Sequence, residues 1–254
     1  MKQRVISGAI VLAVTVIAVL FGSFFMKGLL LFILGWGSYE FVKIRKESFS
    51  YPLYFILLIT SLLIYLFHRH AQEFMLLEML LLLSVAVFQE KESFTDVSAL
   101  FLMSVLLGYA AYYIDYLENY NKWLLAYVII ISYLTDTFAF FVGRKFGKHK
   151  MNARVSPKKT IEGSLGGWFF GFLTSYLWAA LFHFFDLSPM LMLTASFCLP
   201  FVSEIGDLIF SLIKRYYGVK DFSNLIPGHG GILDRLDSNL ICIILFGTLM
   251  NLFL

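Results

Sequence analysis

Three acids interrupt stretches of this chain that are otherwise almost wholly apolar. Asp136 lies in ISYLTDTFAFFVGRKFG, and Glu204 and Asp207 lie in LPFVSEIGDLIFSLIKR. A charge inside such a run is costly, so acids placed there are expected to serve a polar cavity or an ion pair. Ser203 and Asp207 are four residues apart and Glu204 and Asp207 three, which lets all three share one helix face. One such acid could equally be half of an ion pair joining two helices. Three of them, each close to a Gly-rich polar loop, favour a shared cavity.

The first of those loops is GRKFGKHKMNARVSPKKTIEGSLGG, residues 143–167, with basic residues Arg144, Lys145, Lys148, Lys150, Arg154, Lys158 and Lys159. Ser156 before Pro157 predicts a helix start, and Thr160 with Glu162 predicts a cap for the next apolar run. A helix N-terminus with free N–H groups, flanked by lysines and hydroxyls, suits phosphate. A basic cluster that only fixes topology or touches anionic lipid accounts for the charge. It does not account for the order Ser-Pro-Lys-Lys-Thr or the spacing of Gly163, Gly166 and Gly167.

The second loop is SLIKRYYGVKDFSNLIPGHGGILDRLDS, residues 211–238. Gly228, Gly230 and Gly231 allow backbone conformations closed to other residues and a close approach to the main chain. Asp234 and Asp237 are three apart, so a helix beginning here carries both carboxylates on one face. Hard oxygen ligands at that spacing suit Mg²⁺, which takes one or two carboxylates together with substrate phosphates and water. Arg235 is placed to meet a phosphate or steady an aspartate. His229 fits a loop-stabilising hydrogen bond and a phosphate contact equally well. Acids favoured at a helix start by the macrodipole explain the aspartates but not the His-Gly-Gly. Together these groups suggest metal-assisted chemistry on a phosphate.

The elements that must position these residues are membrane helices. Of 254 residues 59% are hydrophobic and only 15% charged, with a mean hydropathy of +0.79, which excludes an ordinary soluble domain. The fold expected is all-α and polytopic, with about nine transmembrane helices and a cytoplasmic N-terminus. The spans read as 5–25, 28–44, 51–67, 72–89, 95–114, 122–143, 161–184, 190–213 and 238–254. The first is long for a signal peptide and lacks a small-x-small cleavage site, so it is expected to remain as a span. With nine spans, seventeen Lys and Arg residues fall on one side and only Lys27, Arg69 and Lys122 on the other, which marks the richer side as cytoplasmic. Residues 1–120 form the N-terminal spans 1–5, and 121–254 the catalytic region of spans 6–9 with their loops. Cys198 and Cys242 fall inside spans and offer neither a disulfide framework nor a CxxC site. His68 and His70 read as an interfacial loop. A net charge of +3 is too small to argue for a nucleic-acid partner, and none is expected.

The run Ser211-x-x-Lys214-Arg215, then Lys220-Asp221, then PGHGGILDRLD resembles the signature of the phosphatidate cytidylyltransferases, also called CDP-diacylglycerol synthases. DTFAFFVGRKFGKHK, SPKKTIEG and SEIGDLIFS match further segments of that family in the same order, so the likeness is close over 132–240. It implies condensation of CTP with phosphatidic acid to CDP-diacylglycerol and pyrophosphate. It implies Mg²⁺ held by Asp207, Asp234 and Asp237, and leaves open a second cation such as K⁺. Lys158, Lys159, Lys214 and Arg215 are expected on phosphate groups, with hydrogen bonds from Ser156 and Thr160. Asp136 and Glu204 are expected to line the cavity, and Gly230, Gly231, His229 and Arg235 to shape the site. A homodimer in a bacterial inner membrane, its site facing the cytoplasm, also follows from the resemblance. Rival readings are a CTP-dependent kinase of polyprenol or phytol-type lipids and an ion-coupled transporter. The transporter reading calls for acids spread through the membrane depth and two matching halves, and neither is seen.

Overall fold

The structure, a computed structural model, describes residues 2–45 and 49–254. Lys46 and the side chains of Lys2 and Arg4, which entered the count of basic residues, lie outside the described residues. Among the described residues are eight α-helices: α1 (Lys2–Phe21), α2 (Ser23–Arg45), α3 (Tyr51–Leu66), α4 (Ala71–Phe88), α5 (Phe94–Phe146), α6 (Ile161–Leu181), α7 (Pro189–Tyr216) and α8 (Leu233–Phe253). Each of the nine stretches read as spans falls largely in a helix, although the first, 5–25, runs past the end of α1 at Phe21 into the start of α2 at Ser23. Two of the nine lie in α5. Its break falls at Asn121, whose backbone leaves the helical region (φ −163°, ψ 107°). Asn121 Oδ1 accepts from the Trp123 N–H at 3.0 Å, a side-chain cap that restarts the helix.

Among the described residues, five helical segments are long and apolar enough to cross a membrane: Ser23–Arg45, His68–Phe88, Phe94–Phe146, Pro189–Tyr216 and Leu233–Phe253. This is the build of an integral membrane protein. It is not purely helical, because a small antiparallel hairpin joins β1 (Lys150–Asn152) to β2 (Ser156–Thr160). The expected helix start at Ser156-Pro157 is therefore a strand. Pro157 lacks an N–H, and an edge strand of a two-stranded hairpin tolerates that loss. The helix begins one turn later, where Thr160 caps α6 as expected, its Oγ1 accepting from Gly163 N at 3.2 Å.

The chain forms two compact units. Unit 1 contains residues 1–119 and 221–235, and unit 2 contains 120–220 and 236–254. In unit 1, α1 packs on α2, α2 on α3 and α3 on α4, as short connections dictate. Its buried acid Glu78 of α4 is met by hydroxyls rather than by a cation. Thr60 Oγ1 of α3 lies 2.9 Å from Oε1 and Ser104 Oγ of α5 lies 2.7 Å from Oε2. Arg45, at the end of α2, is also buried and meets Glu92 at 2.8 Å and Asp96 at 3.7 Å. It is a structural cation, paired inside the fold.

In unit 2, α6 packs on α7, and its buried small residues Gly163, Gly167, Gly171, Ser175 and Ala179 form a close-packing face, with Gly163 and Gly167 against α5 and Gly167 and Gly171 reaching α7. A Cβ at Gly171 would lie 2.8 Å from the ring of Pro200 in α7. Pro200 has no N–H to donate to the carbonyl of Ser196 one turn earlier. The Ser175 hydroxyl donates to that carbonyl instead, at 3.2 Å, and the Trp168 indole N–H donates to the next one, Phe197 O, at 3.1 Å. A proline inside a membrane helix is thus accommodated by its neighbour.

Candidate functional site

A cavity of about 480 Å³ opens in unit 2, lined by Asp136, Phe140, Arg144, Lys150, Ser156, Lys158, Lys159, Thr160, Ser164, Glu204 and Asp207 with small residues between them. That volume lies in the range of small-molecule sites. Seven of these are residues that the sequence singled out: Asp136, Ser156, Lys158, Lys159, Thr160, Glu204 and Asp207. The strand β2 is what delivers the lysines. Side chains alternate along a strand, so Ser156, Lys158 and Thr160 fall on one side and Lys159 on the other. Residues from both sides of the strand nevertheless line the cavity.

Lys159 is the centre of the acid cluster. Its Nζ lies 2.7 Å from Asp207 Oδ2 and 3.0 Å from Glu204 Oε2, and donates to the Glu204 carbonyl at 3.4 Å. Burial alone would lower the Lys159 pKa, but the Asp207 and Glu204 carboxylates outweigh it and raise it above the ordinary lysine value. The ammonium therefore stays charged throughout the physiological range. Ser164, which the sequence reading did not single out, donates to Glu204 Oε2 at 3.1 Å. The other oxygen, Glu204 Oε1, is buried without a hydrogen-bond partner. Ser203, expected on the same face, instead pairs with Ser132 Oγ of α5 at 3.0 Å in the core.

The free N–H groups expected at the start of α6 are largely taken. Ile161 N donates to His149 O at 2.9 Å and Gly163 N to Thr160. Glu162 does not complete a capping box; its carboxylate reaches back to the amides of Lys148 (3.1 Å) and His149 (3.2 Å) and to His149 Nδ1 (2.6 Å). The glycines Gly163, Gly166 and Gly167 serve helix contact rather than anion binding. A Cβ at Gly167 would lie 2.8 Å from Ala139 Cβ and 2.9 Å from Glu204 Oε1, and one at Gly166 would run into Val142. Gly143 and Gly147, which the sequence reading passed over, fit against Thr160 in the same way. Their i, i+4 spacing in GRKFG was the available signal.

Elsewhere in unit 2, Lys214 Nζ stands 3.9 Å from Asp237 Oδ2, both largely buried. Ser238 Oγ lies 3.4 Å from Asp136 Oδ2. Arg215 is exposed and donates from its guanidinium to Val219 O at 2.8 Å, holding the turn after α7.

In unit 1 the signature loop is a tight turn in which Ile226 N donates to Gly230 O at 2.8 Å. Gly228 (φ +78°) and Gly230 (φ +85°) occupy the left-handed region that the turn requires. Asp234 Oδ2 accepts from Phe222 N at 2.7 Å and Gly231 N at 2.9 Å. Ser7 Oγ donates to Pro227 O at 3.0 Å and lies 2.7 Å from His229 Nδ1. A hydroxyl has one proton, so that pairing makes His229 Nδ1 the donor to Ser7. This is the loop-stabilising hydrogen bond expected of His229. The Nε of Arg235 is buried without a partner.

The donor set fits Mg²⁺ in kind. Within unit 2 the charges of Asp136, Glu204, Asp207 and Asp237 act on one another, and the two lysines do not outnumber them. Among the described residues no group of three His, Cys, Asp or Glu side chains could hold a metal by itself.

The family model for the cytidylyltransferase family matches residues 2–253. The chain belongs to that family. A phosphatidate cytidylyltransferase of Bacillus subtilis (strain 168) is 30% identical over the whole of this chain and 98% of its own length. Enzymes of the same name from Staphylococcus haemolyticus (strain JCSC1435) and Staphylococcus aureus (strain COL) are 37% and 38% identical. Those alignments cover 67% and 62% of this chain, and 65% and 60% of the relatives.

Proposed function

We propose that the chain is a phosphatidate cytidylyltransferase, a nucleotidyltransferase that makes CDP-diacylglycerol from CTP and phosphatidic acid. A phosphate oxygen of phosphatidic acid attacks the α-phosphorus of CTP, the bond to the β-phosphate breaks, and pyrophosphate leaves. The nucleophile is already ionised near neutral pH, so the protein need supply little general base. Catalysis then rests on positioning and on neutralising charge. The observation that carries the reading is the 480 Å³ cavity in which the SPKKT cations meet the acids of α5 and α7.

Lys158, Arg144 and Lys150 face the cavity with free reach and bind phosphate oxygens, with Ser156 adding a hydrogen bond. Lys159 holds Asp207 and Glu204 in place and meets the substrate's anionic groups when they enter. Asp207 and Asp237 are the carboxylates that would hold Mg²⁺, which draws charge from the reacting phosphates when bound. Asp234 belongs to the same set on the family resemblance, and K⁺ is the proposed second cation. Lys214 steadies Asp237. Nine crossings with a cytoplasmic N-terminus fit the distribution of Lys and Arg. They put the site at the cytoplasmic face of a bacterial inner membrane, where its lipid substrate is at hand, and the working form is a homodimer.

Purified protein incubated with labelled CTP, phosphatidic acid and Mg²⁺ tests this directly. CDP-diacylglycerol with pyrophosphate is the expected pair of products. CDP with no liponucleotide would replace the proposal with the kinase reading. Asp207→Asn and Asp234→Asn are each expected to abolish turnover in folded protein, and full activity in both would remove the metal assignment.

A further inference from the structure

Glu40 of α2 is fully buried, and no feature of its own neighbourhood in sequence explains an acid there. Its partners lie more than 180 residues away in the signature loop. Oε1 accepts from Ile232 N at 3.0 Å and from the Ser223 hydroxyl at 2.6 Å, and Oε2 accepts from Leu233 N at 3.0 Å. With Asp234 taking Gly231 N, three successive amides at the start of α8 are satisfied by two carboxylates. A helix N-terminus favours negative charge, and buried N–H groups must find an acceptor. Glu40 also accounts for Gly231. A Cβ at that position would fall against both Glu40 oxygens, while one at Gly230 would lie 2.6 Å from Asp234 Oδ2. The consecutive glycines of PGHGG are thus set by two different acids approaching from two different elements.

We infer that Glu40 is a positioning residue of the cytidylyltransferase reaction: from α2 it fixes the backbone of 222–233 and so the presentation of His229, Asp234 and Arg235. This rests on the proposed function for its catalytic consequence, and on geometry alone for its effect on the loop. The alternative is that Glu40 only stabilises the fold. A fold-only role would lower the unfolding temperature and leave the activity of each folded molecule unchanged.

The experiment uses the full chain in detergent or nanodiscs, comparing wild type with Glu40→Gln and Glu40→Asp. Gln keeps the size but turns an NH₂ toward amides that need an acceptor, so one backbone hydrogen bond is lost. Hydrogen exchange in peptides covering 222–235 is expected to quicken about tenfold, the effect of one charge-assisted hydrogen bond. Exchange elsewhere in unit 1 is expected to stay as in wild type. The kcat per folded molecule is expected to fall by about tenfold or more while KM for CTP changes by less than about threefold, because orientation and not affinity is lost. Glu40→Asp keeps the charge and should recover part of both effects, and it decides the question if Glu40→Gln is not recovered folded. Unchanged exchange in 222–235, or faster exchange with an unchanged kcat, overturns the inference. A wild-type protein that makes no CDP-diacylglycerol would refute the proposed reaction instead, and exchange alone would then decide whether Glu40 holds the loop.

Discussion

Lys159→Met separates what this lysine does for the fold from what it does for the reaction. Its ammonium serves two acids at 2.7 and 3.0 Å, and the three side chains are 18%, 26% and 3% exposed for Lys159, Asp207 and Glu204. Asp207 can turn to water, so its loss is small. Glu204 cannot, and stranding one buried member of an ion pair costs about 3–5 kcal/mol. The lower end applies because Ser164 remains as a donor to Glu204. A loss of about 3 kcal/mol corresponds to roughly 6–12 °C in the unfolding midpoint for a chain of this size. Removing the stranded charge as well, in Lys159→Met/Glu204→Gln, should return most of that, leaving a deficit of about 1 kcal/mol. Tryptophan fluorescence in detergent during a thermal ramp measures both, with cytidylyl transfer assayed alongside. The double variant should regain stability and remain inactive. The lysine contribution should be flat with pH across the working range. The folded pKa of Lys159 lies above its ordinary 10.5, so the stabilisation is fully present below that value and fades only as pH rises through the higher one. A double variant no more stable than Lys159→Met would refute the claim that Glu204 is what Lys159 protects.

Glu78→Ala should cost about 2–4 kcal/mol in the same thermal assay by emptying a buried volume and stranding Thr60 and Ser104, whereas Glu78→Gln should cost about 1 kcal/mol or less. Equal losses would show that the charge itself matters. Gly167→Ala should destabilise by roughly 1–3 kcal/mol, because its methyl meets Ala139 and Glu204 across a tight helix crossing. Glu162→Ala frees the amides of Lys148 and His149, so trypsin should cut after Lys148 and Lys150 several-fold faster by gel analysis; an unchanged rate would deny Glu162 its anchoring role. Lys158, Arg144 and Lys150 at the cavity are exposed, so KM for CTP should rise several-fold between about 50 and 300 mM NaCl at fixed Mg²⁺, as screening sets in. A salt-independent KM would argue against recognition through Lys158, Arg144 and Lys150.

Much of the cavity was legible because misplaced charge is conspicuous. Asp136, Glu204 and Asp207 stand out in apolar runs, and their cost predicts a common polar space before any geometry is known. SPKKT was recognised as a site but misread as a helix start. Ser-Pro is a good opening for a helix, yet pairing with Lys150–Asn152 decides the matter, and that contact lies outside the local signal. Glu40 and Glu78 were equally conspicuous by composition and were passed over because they lie far from both polar loops in sequence. Their partners are Ser223, Ile232 and Leu233 in one case and Thr60 and Ser104 in the other. Only the packing of α2 against the loop, and of α3 and α5 against α4, gives those acids a purpose.

A common device recurs in the two units. The amides that a Gly-rich loop or a helix start could have offered to a phosphate are instead held by internal carboxylates. Asp234 and Glu40 take them at Gly231, Ile232 and Leu233, and Glu162 takes those of Lys148 and His149. Sequence motifs of this kind invite comparison with phosphate loops, where free N–H groups carry the recognition. Here the glycines make room for acids, and the acids make the backbone rigid. On the proposed function, phosphate recognition falls to side chains on the hairpin, whose long, charged arms can follow a substrate whose charge is redistributed as one anhydride bond breaks and another forms. A backbone nest would hold one phosphate in one place. Lysines on a two-stranded hairpin, set against acids that would keep a divalent ion, suit a reaction that must hold a triphosphate, a lipid phosphate and a departing pyrophosphate in turn.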